Sequence, residues 1–444
     1  MTERDQSWGV TPVPERLRTL STLDLTLLWG NLGVSLLVLV IGAILVPALS
    51  LRDAVIAIVV GSLIGNVMLG LAGMIGADGR VPAMVLLRAP LGQRGSYAAT
   101  GLNVAQCVGW ATFELIIIAA AAGALSNEVF GFEGRTLWTL VAGAVALGMG
   151  LLGPIGVVRR VLRRFAVWIV LASLLYLTWW ALSEAPVREL WNAPGEGGMT
   201  ILLGVDLAVA ITVSWIPLAA DYTRFAREPR GAFLGTGLGY FVAGTWMLAL
   251  GALLVLSRGL SDPAEVPAGV ATAGLASALA LLAVTVDETD EAFANAYSGA
   301  VSLQNIFPAV SQRLLLIGVT VLATTAALTI ELRSYETYLL LLGSFFVPLF
   351  GVLLADWLLA GASYRNFDFF SGPAFRGGPL LAWIAGFGLY QWLHALGPEW
   401  WTELVARTDP PAIGASLPSF GLAFGLTALA LLIERRVRPA SATA

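Results

Sequence analysis

Twelve runs of mostly apolar residues dominate this chain, each near the ~20 residues that a helix needs to cross a bilayer. They fall at roughly 24–48, 53–77, 97–125, 136–153, 165–183, 200–219, 231–257, 270–298, 314–331, 338–361, 379–397 and 413–433. A soluble core cannot absorb that much apolar surface. With 57% hydrophobic and only 12% charged residues in 444, the sequence predicts an all-α integral membrane protein.

Arginine placement tests the count. Every basic residue is Arg. With the N-terminus in the cytoplasm and strict alternation, Arg4, Arg16, Arg18, Arg80, Arg88, Arg94, Arg159, Arg160, Arg163, Arg164, Arg224, Arg227, Arg230, Arg313, Arg365, Arg376, Arg435, Arg436 and Arg438 fall inside. Only Arg52, Arg135, Arg188, Arg258, Arg333 and Arg407 fall outside, one per loop. That bias is the positive-inside signature of twelve spans with both termini cytoplasmic. It places the chain in a plasma or inner membrane: a cytoplasmic tail 1–20, one transmembrane domain 21–434 and a second tail 435–444. The polar N-terminus lacks a signal-peptide core and is expected to be retained. Arg159, Arg160, Arg163 and Arg164 read as topology determinants facing anionic lipid. Trp179, Trp180, Trp400 and Trp401 read as interfacial belt residues.

Lone Cys107 and lone His394 exclude an internal disulfide and a cysteine- or histidine-rich metal centre. No stretch reads as a nucleic-acid surface, and no cofactor or obligatory protein partner is expected; the lipid bilayer is the expected surrounding.

Two spans look interrupted. The first, LLWGNLGVSLLVLVIGAIL, carries Gly30, Asn31, Gly33 and Ser35 in its front half. The sixth, VDLAVAITVSWIPLAADYTRFA, carries Thr212, Ser214 and Pro217 near its middle. Proline removes a backbone donor and clashes with the preceding turn. Breaks at matching positions of two halves point to a transporter's binding site. The plainer reading of the glycines is close helix packing.

The third span sets Asn103, Gln106, Trp110 and Glu114 at spacings of 3, 4 and 4, on one helix face. An indole and amides on one stripe suit a flat, hydrogen-bonding ring; interhelical polar glue is the alternative. Asp287, Glu288, Asp290 and Glu291 end one of the most apolar stretches. Inside the bilayer, carboxylates there would hold Na⁺ or carry a proton. Outside it, DETDE would be a solvated loop before an amphipathic cytoplasmic helix 292–312. Asp221 and Arg224 close the sixth span as a gate or as simple interfacial anchors.

Together these segments resemble the nucleobase:cation symporter family, the purine–cytosine permease group. SWIPLAADYTRFAREP from Ser214, RAPLGQRGSY from Arg88, LNVAQCVGW from Leu102, ANAYSGAVSLQN from Ala294 and WGNLGVS in the first span carry the resemblance. The first of these is most similar to the hydroxymethylpyrimidine and cytosine branch. The resemblance implies a leucine-transporter-type fold with helices 1 and 6 broken: an inverted repeat over 21–183 and 200–361, plus two additional helices over 379–434. It implies uptake of a nucleobase-like ring coupled to Na⁺ or H⁺. Trp110 takes the third-helix aromatic position, Glu114 or Gln106 the amide position and Asn295 the eighth-helix asparagine; Asn103, Thr212, Ser214 and Trp215 join the expected substrate set. Backbone near Gly33 and Val34, with Thr289 and Asp290, forms the expected cation site, and no other metal is expected. Thr212 stands where a sixth-helix aromatic is usual, so Trp215 or Phe113 would supply the second ring face. Asp290 stands where a hydroxyl ligand is usual.

Two other readings are weighed against this one. An amino-acid or other symporter of the same fold would need charged groups for an ammonium or carboxylate. A Mg²⁺-dependent, prenyltransferase-like membrane enzyme using Asp287 and Asp290 would need a second Asp-rich motif, which the sequence lacks.

Overall fold

Interruptions within helices organise this molecule as much as the helices do. In a computed structural model, residues 9–157, 167–183, 185–258, 269–270, 274–330, 335–405 and 413–437 are described. Arg4, the arginine quartet 159–164, Arg333, Arg407 and Arg438 lie outside the described residues.

The first span is a bent pair, α1 (Thr22–Asn31) and α2 (Leu36–Ile44), inclined at 61° to each other. Then come α3 (Leu51–Gly79), α4 (Ser96–Phe130), α5 (Arg135–Val157) and α6 (Val167–Ser183). The sixth span is again a pair, α7 (Ile201–Val213) and α8 (Ile216–Thr223), followed by α9 (Pro229–Arg258). The eighth divides at Glu288 into α10 (Leu275–Asp287) and α11 (Thr289–Ile306). Helices α12 (Gln312–Thr329), α13 (Tyr335–Leu359), α14 (Gly377–Leu393) and α15 (Ser416–Val437) complete the longer helices among the described residues, which also hold several shorter ones. Eight helices among the described residues are long and apolar enough to cross a membrane, and the α1–α2 pair adds a ninth.

Local chemistry explains the breaks. Ser35 has an extended backbone, and its hydroxyl accepts from the Leu37 and Val38 amides, so it starts α2 as an N-cap. Pro217 sits in the first turn of α8, where its missing N–H costs nothing.

Glycines bring the broken pair against α9. A Cβ on Gly42 would come within 1.9 Å of the Leu248 carbonyl oxygen, and one on Gly251 within 1.9 Å of the Leu39 oxygen. Gly33 packs less tightly on α9: a Cβ there would meet Ala243 Cβ and Gly244 N at 3.0 Å. Such approaches replace the hydrophobic drive that lipid cannot supply between helices.

One end of the bundle gathers arginines and the N-terminal segment. Glu15 bridges to Arg80 at 2.8 Å and to Arg18 at 3.1 Å, and Arg18 also donates to the Ala77 carbonyl. Leu20 pairs with Ala226 as an isolated parallel bridge, tying this strap to the end of α8. At the start of α15, the Ala415 and Ser416 amides donate to the two oxygens of Asp206 on α7, at 3.1 and 3.0 Å.

Candidate functional site

The acidic segment is buried. Asp287, Glu288, Thr289, Asp290 and Glu291 are all less than 10% exposed. The solvated-loop alternative is thereby overturned, and so is the helix 292–312 that went with it: α11 begins at Thr289 and its buried residues run through Asn305. The physical reason is the gap in the first span. Unwinding at 32–35 exposes backbone amides that only acceptors can satisfy in an apolar interior.

Glu288 meets that need. The Leu36 amide donates to its Oε2 at 2.8 Å and the Ser35 hydroxyl to its Oε1 at 2.8 Å. A carboxylate at a half-helix N-terminus is favoured by the helix dipole and by the free amides together. One turn back, Asn31 spends both amide hydrogens on Asp287 Oδ1 at 2.9 Å and Asp290 Oδ2 at 2.8 Å. The remaining oxygens, Asp287 Oδ2 and Asp290 Oδ1, are buried with no hydrogen-bond donor among the described residues. Val34, three residues after Asn31, is buried, its amide donating to the Asn31 carbonyl at 2.9 Å. Thr289 differs: its hydroxyl donates back to the Val286 carbonyl and lies 3.7 Å from Met149 Sδ on α5.

Across the break lies a narrow cavity lined by Ser35, Leu37, Val38, Trp110, Glu114, Ile211, Ser214, Trp215, Glu291 and Asn295. It touches both broken spans. Trp110 leans edge-on against Tyr338, with ring centroids 5.6 Å apart. Trp215 is fixed by its Nε1–H, which donates to Tyr240 Oη at 3.0 Å, and by edge contact with Trp29. Asn295 donates to the Glu291 carbonyl. Glu114, Glu288 and Glu291 converge, each offering an oxygen within 4.8 Å of the others.

Of the residues expected at the substrate site, the structure brings Trp110, Glu114, Ser214, Trp215 and Asn295 to this cavity. Three others are placed apart from its lining. Thr212 faces α3: its hydroxyl donates to the Ala208 carbonyl and its side chain covers Gly65. Asn103 donates to Ser302 Oγ at 2.9 Å, joining α4 to α11. Gln106 donates to the Ser214 carbonyl at 2.7 Å, satisfying an oxygen at the break in the sixth span. Those two amides therefore act as interhelical ties, the second alternative for the stripe.

Arg224 Nε donates to the Asp221 carbonyl at 3.2 Å, while the Asp221 carboxylate turns to another partner. Asp221 accepts from the Ala83 amide at 3.0 Å, at the start of the short helix Ala83–Leu86. Arg224 donates to the Gly9 carbonyl and to Tyr297 Oη. Sequence reasoning singled out Asn31, Ser35, Glu288 and Glu291 in the first-span break and the acidic segment, but gave none of them a place in the substrate or cation set. The signal was present in Ser35, an N-cap residue just ahead of an apolar run, whose freed amides required an acid elsewhere in the chain.

Two broken helices crossing beside a buried polar slot define the class of secondary transporters with discontinuous spans. Residues 12–377 match the family of permeases for cytosine/purines, uracil, thiamine and allantoin, and the chain belongs to that family. It is similar to the cytosine permease of Escherichia coli strain K12, 24% identical over 408 residues spanning 89% of this chain and 91% of that one. In fold it is similar to Mhp1, a nucleobase-cation-symport-1 family transporter, in a closed conformation with bromovinylhydantoin bound: TM-score 0.79, 17% identity, covering 98% of this chain and 97% of that one. The inward-facing conformation of Mhp1 gives 0.74 at 18% identity, covering 97% and 94%.

Proposed function

We propose that this chain is a cation-coupled symporter that imports a nucleobase-like ring, of the cytosine or hydroxymethylpyrimidine kind, by alternating access. One observation carries the reading: a cavity walled by two indoles, Trp110 and Trp215, opens on both helix breaks beside buried carboxylates. The ring stacks between the indoles. Asn295 and Glu114 read its edge, and Ser214 borders the slot. A coupling cation, Na⁺ or H⁺, is taken by Asp290 with backbone near Gly33 and Val34, where Asp287 Oδ2 and Asp290 Oδ1 have oxygens to spare. Binding there draws α10–α11 onto the α1–α2 break and completes the ring site, so cation and ring bind with positive coupling. Residues 21–183 and 200–361 form the two inverted repeats, 379–434 lie outside them, and a helix bundle rocks against the scaffold to expose the site inside. Asp221 and Arg224 belong to the gate at the arginine-rich end, which faces the cytoplasm of a plasma or inner membrane. No chemical step is assigned to the carboxylates.

Uptake of radiolabelled cytosine and hydroxymethylpyrimidine in a permease-deficient strain tests this. Uptake is expected to collapse when the Na⁺ and H⁺ gradients are dissipated, and in Trp110→Ala and Asn295→Ala. Gradient-independent uptake, or normal uptake in both variants, overturns the reading.

A further inference from the structure

Trp215 stands in the two-residue gap between α7, which ends at Val213, and α8, which begins at Ile216. Its indole walls the cavity. The second torsion of such a side chain is broad and roughly two-fold. The ring can therefore turn either edge to the slot unless a group outside its own segment fixes it.

Two groups do so. The Trp215 Nε1–H donates to Tyr240 Oη at 3.0 Å, and both residues are buried. The Trp29 ring meets the indole edge-on, with centroids 5.9 Å apart and planes at 86°, and lies 6.5 Å from the Tyr240 ring. Tyr240 and Trp215 are themselves 6.2 Å apart. The three rings close a triangle drawn from α1, the sixth-span break and α9. Neither Trp29 nor Tyr240 lines the cavity.

Tyr240 is held in its turn. Its ring covers Gly244, where an added Cβ would meet it at 3.2 Å, and a Cβ on Gly33 would meet its carbonyl oxygen at 3.3 Å. The phenol thus rises from α9 where that helix packs on the first break, and its hydroxyl reaches the second. Edge contacts of this kind fix where an indole lies. The phenol oxygen fixes which edge it turns away from the slot. Without that acceptor the buried N–H is left unsatisfied and has to seek another partner, and the open side is the cavity.

We infer that Tyr240 is a positioning residue for ring binding: its hydroxyl oxygen, with the Trp29 edge alongside, sets the Trp215 indole as the second face of the ring site. Tyr240 acts through Trp215 and does not touch the ring. This role deepens the transport reading and rests on it: the slot is the same, and the addition is a residue on a helix that gives the slot no lining.

The test is equilibrium binding of radiolabelled cytosine and hydroxymethylpyrimidine to the purified full-length protein. Tyr240→Phe removes one oxygen and is expected to weaken binding about tenfold. In a Trp215→Phe background, which has no N–H to place, the same change is expected to cost less than twofold. In a Trp110→Phe background the tenfold loss is expected again, whereas a general loosening would cost the same in both backgrounds. A second readout does not depend on affinity: fluorine NMR of protein labelled with 5-fluorotryptophan, the Trp215 resonance being assigned by its loss in Trp215→Phe. That resonance is expected to shift or broaden in Tyr240→Phe, while that of exposed Trp400 stays in place. Trp29→Phe, with the same spectral expectation, serves should Tyr240→Phe fail to fold. Binding by Tyr240→Phe within threefold of wild type, an equal loss in both backgrounds, or an unmoved Trp215 resonance overturns the inference and leaves the transport reading intact. Binding of neither ring by the wild-type protein overturns both.

Discussion

The Leu36 amide donates to Glu288 Oε2 at 2.8 Å, so the second half of the first span begins on a carboxylate from the eighth. The two residues are far apart in sequence, and each solves the other's problem. The amide would otherwise be an orphan donor, and the acid an orphan charge.

Glu288→Ala should therefore damage more than a pocket. It strips an acceptor from the Leu36 amide and the Ser35 hydroxyl at once. A loss of about 1–3 kcal/mol is expected for each buried group left unsatisfied. Thermal unfolding in detergent should show the drop, with Glu288→Gln recovering part of it. An unchanged melting temperature in the alanine variant would contradict the pairing.

Asn31→Leu should uncouple cation from ring. Both of its amide hydrogens are committed to Asp287 and Asp290, and leucine leaves two carboxylates facing each other without a bridge. Cation-dependent stimulation of ring binding is expected to vanish while cation-free ring affinity changes by less than threefold, as measured by titrating ring with and without Na⁺ at two pH values. Equal loss of both would place Asn31 in the ring site.

Gly42→Ala should be among the most destabilising small substitutions in the chain. The added methyl would lie 1.9 Å from the Leu248 carbonyl oxygen, which is backbone and cannot rotate away. Separation of α2 from α9 is expected to cost about 2–4 kcal/mol, in the range of overpacked or displaced cores. Yield and melting temperature check this, with Gly148→Ala, where nothing lies within 4 Å, as the control.

Arg224→Ala should loosen the N-terminal strap. Its guanidinium holds the Gly9 carbonyl and Tyr297 Oη. Hydrogen exchange across residues 9–20 is expected to quicken roughly tenfold, the equivalent of ~1.4 kcal/mol of local stability. Exchange at the centre of α3 should be unaffected.

The helical membrane architecture could be read from the sequence because bilayer thickness imposes it locally: about twenty apolar residues betray a span wherever they fall. The breaks at Gly33–Ser35 and Ser214–Pro217 were visible for the same reason, since Ser and Pro act on their own neighbours. Trp110, Glu114 and Asn295 came from helix spacing and family resemblance, and the structure gathers them with Trp215 around one cavity. What could not be read was direction across space. Nothing in the sequence says that Gln106 turns to the Ser214 carbonyl, that Thr212 turns to Gly65, or that the Asp221 carboxylate turns to the Ala83 amide. Each depends on a partner more than a hundred residues away or on the tilt of a neighbouring helix. The acidic segment shows the limit best: the choice between loop and buried site rested on the gap in the first span, and only the fold sets the two side by side.

Asp206 grips the first amides of α15 from within α7, one of the two halves of the sixth span. The last described helix, beyond the last residue of the family match, is thus bolted to the first half of the sixth span. Losing residues 415 onward would take away both backbone amides that donate to the buried Asp206 carboxylate.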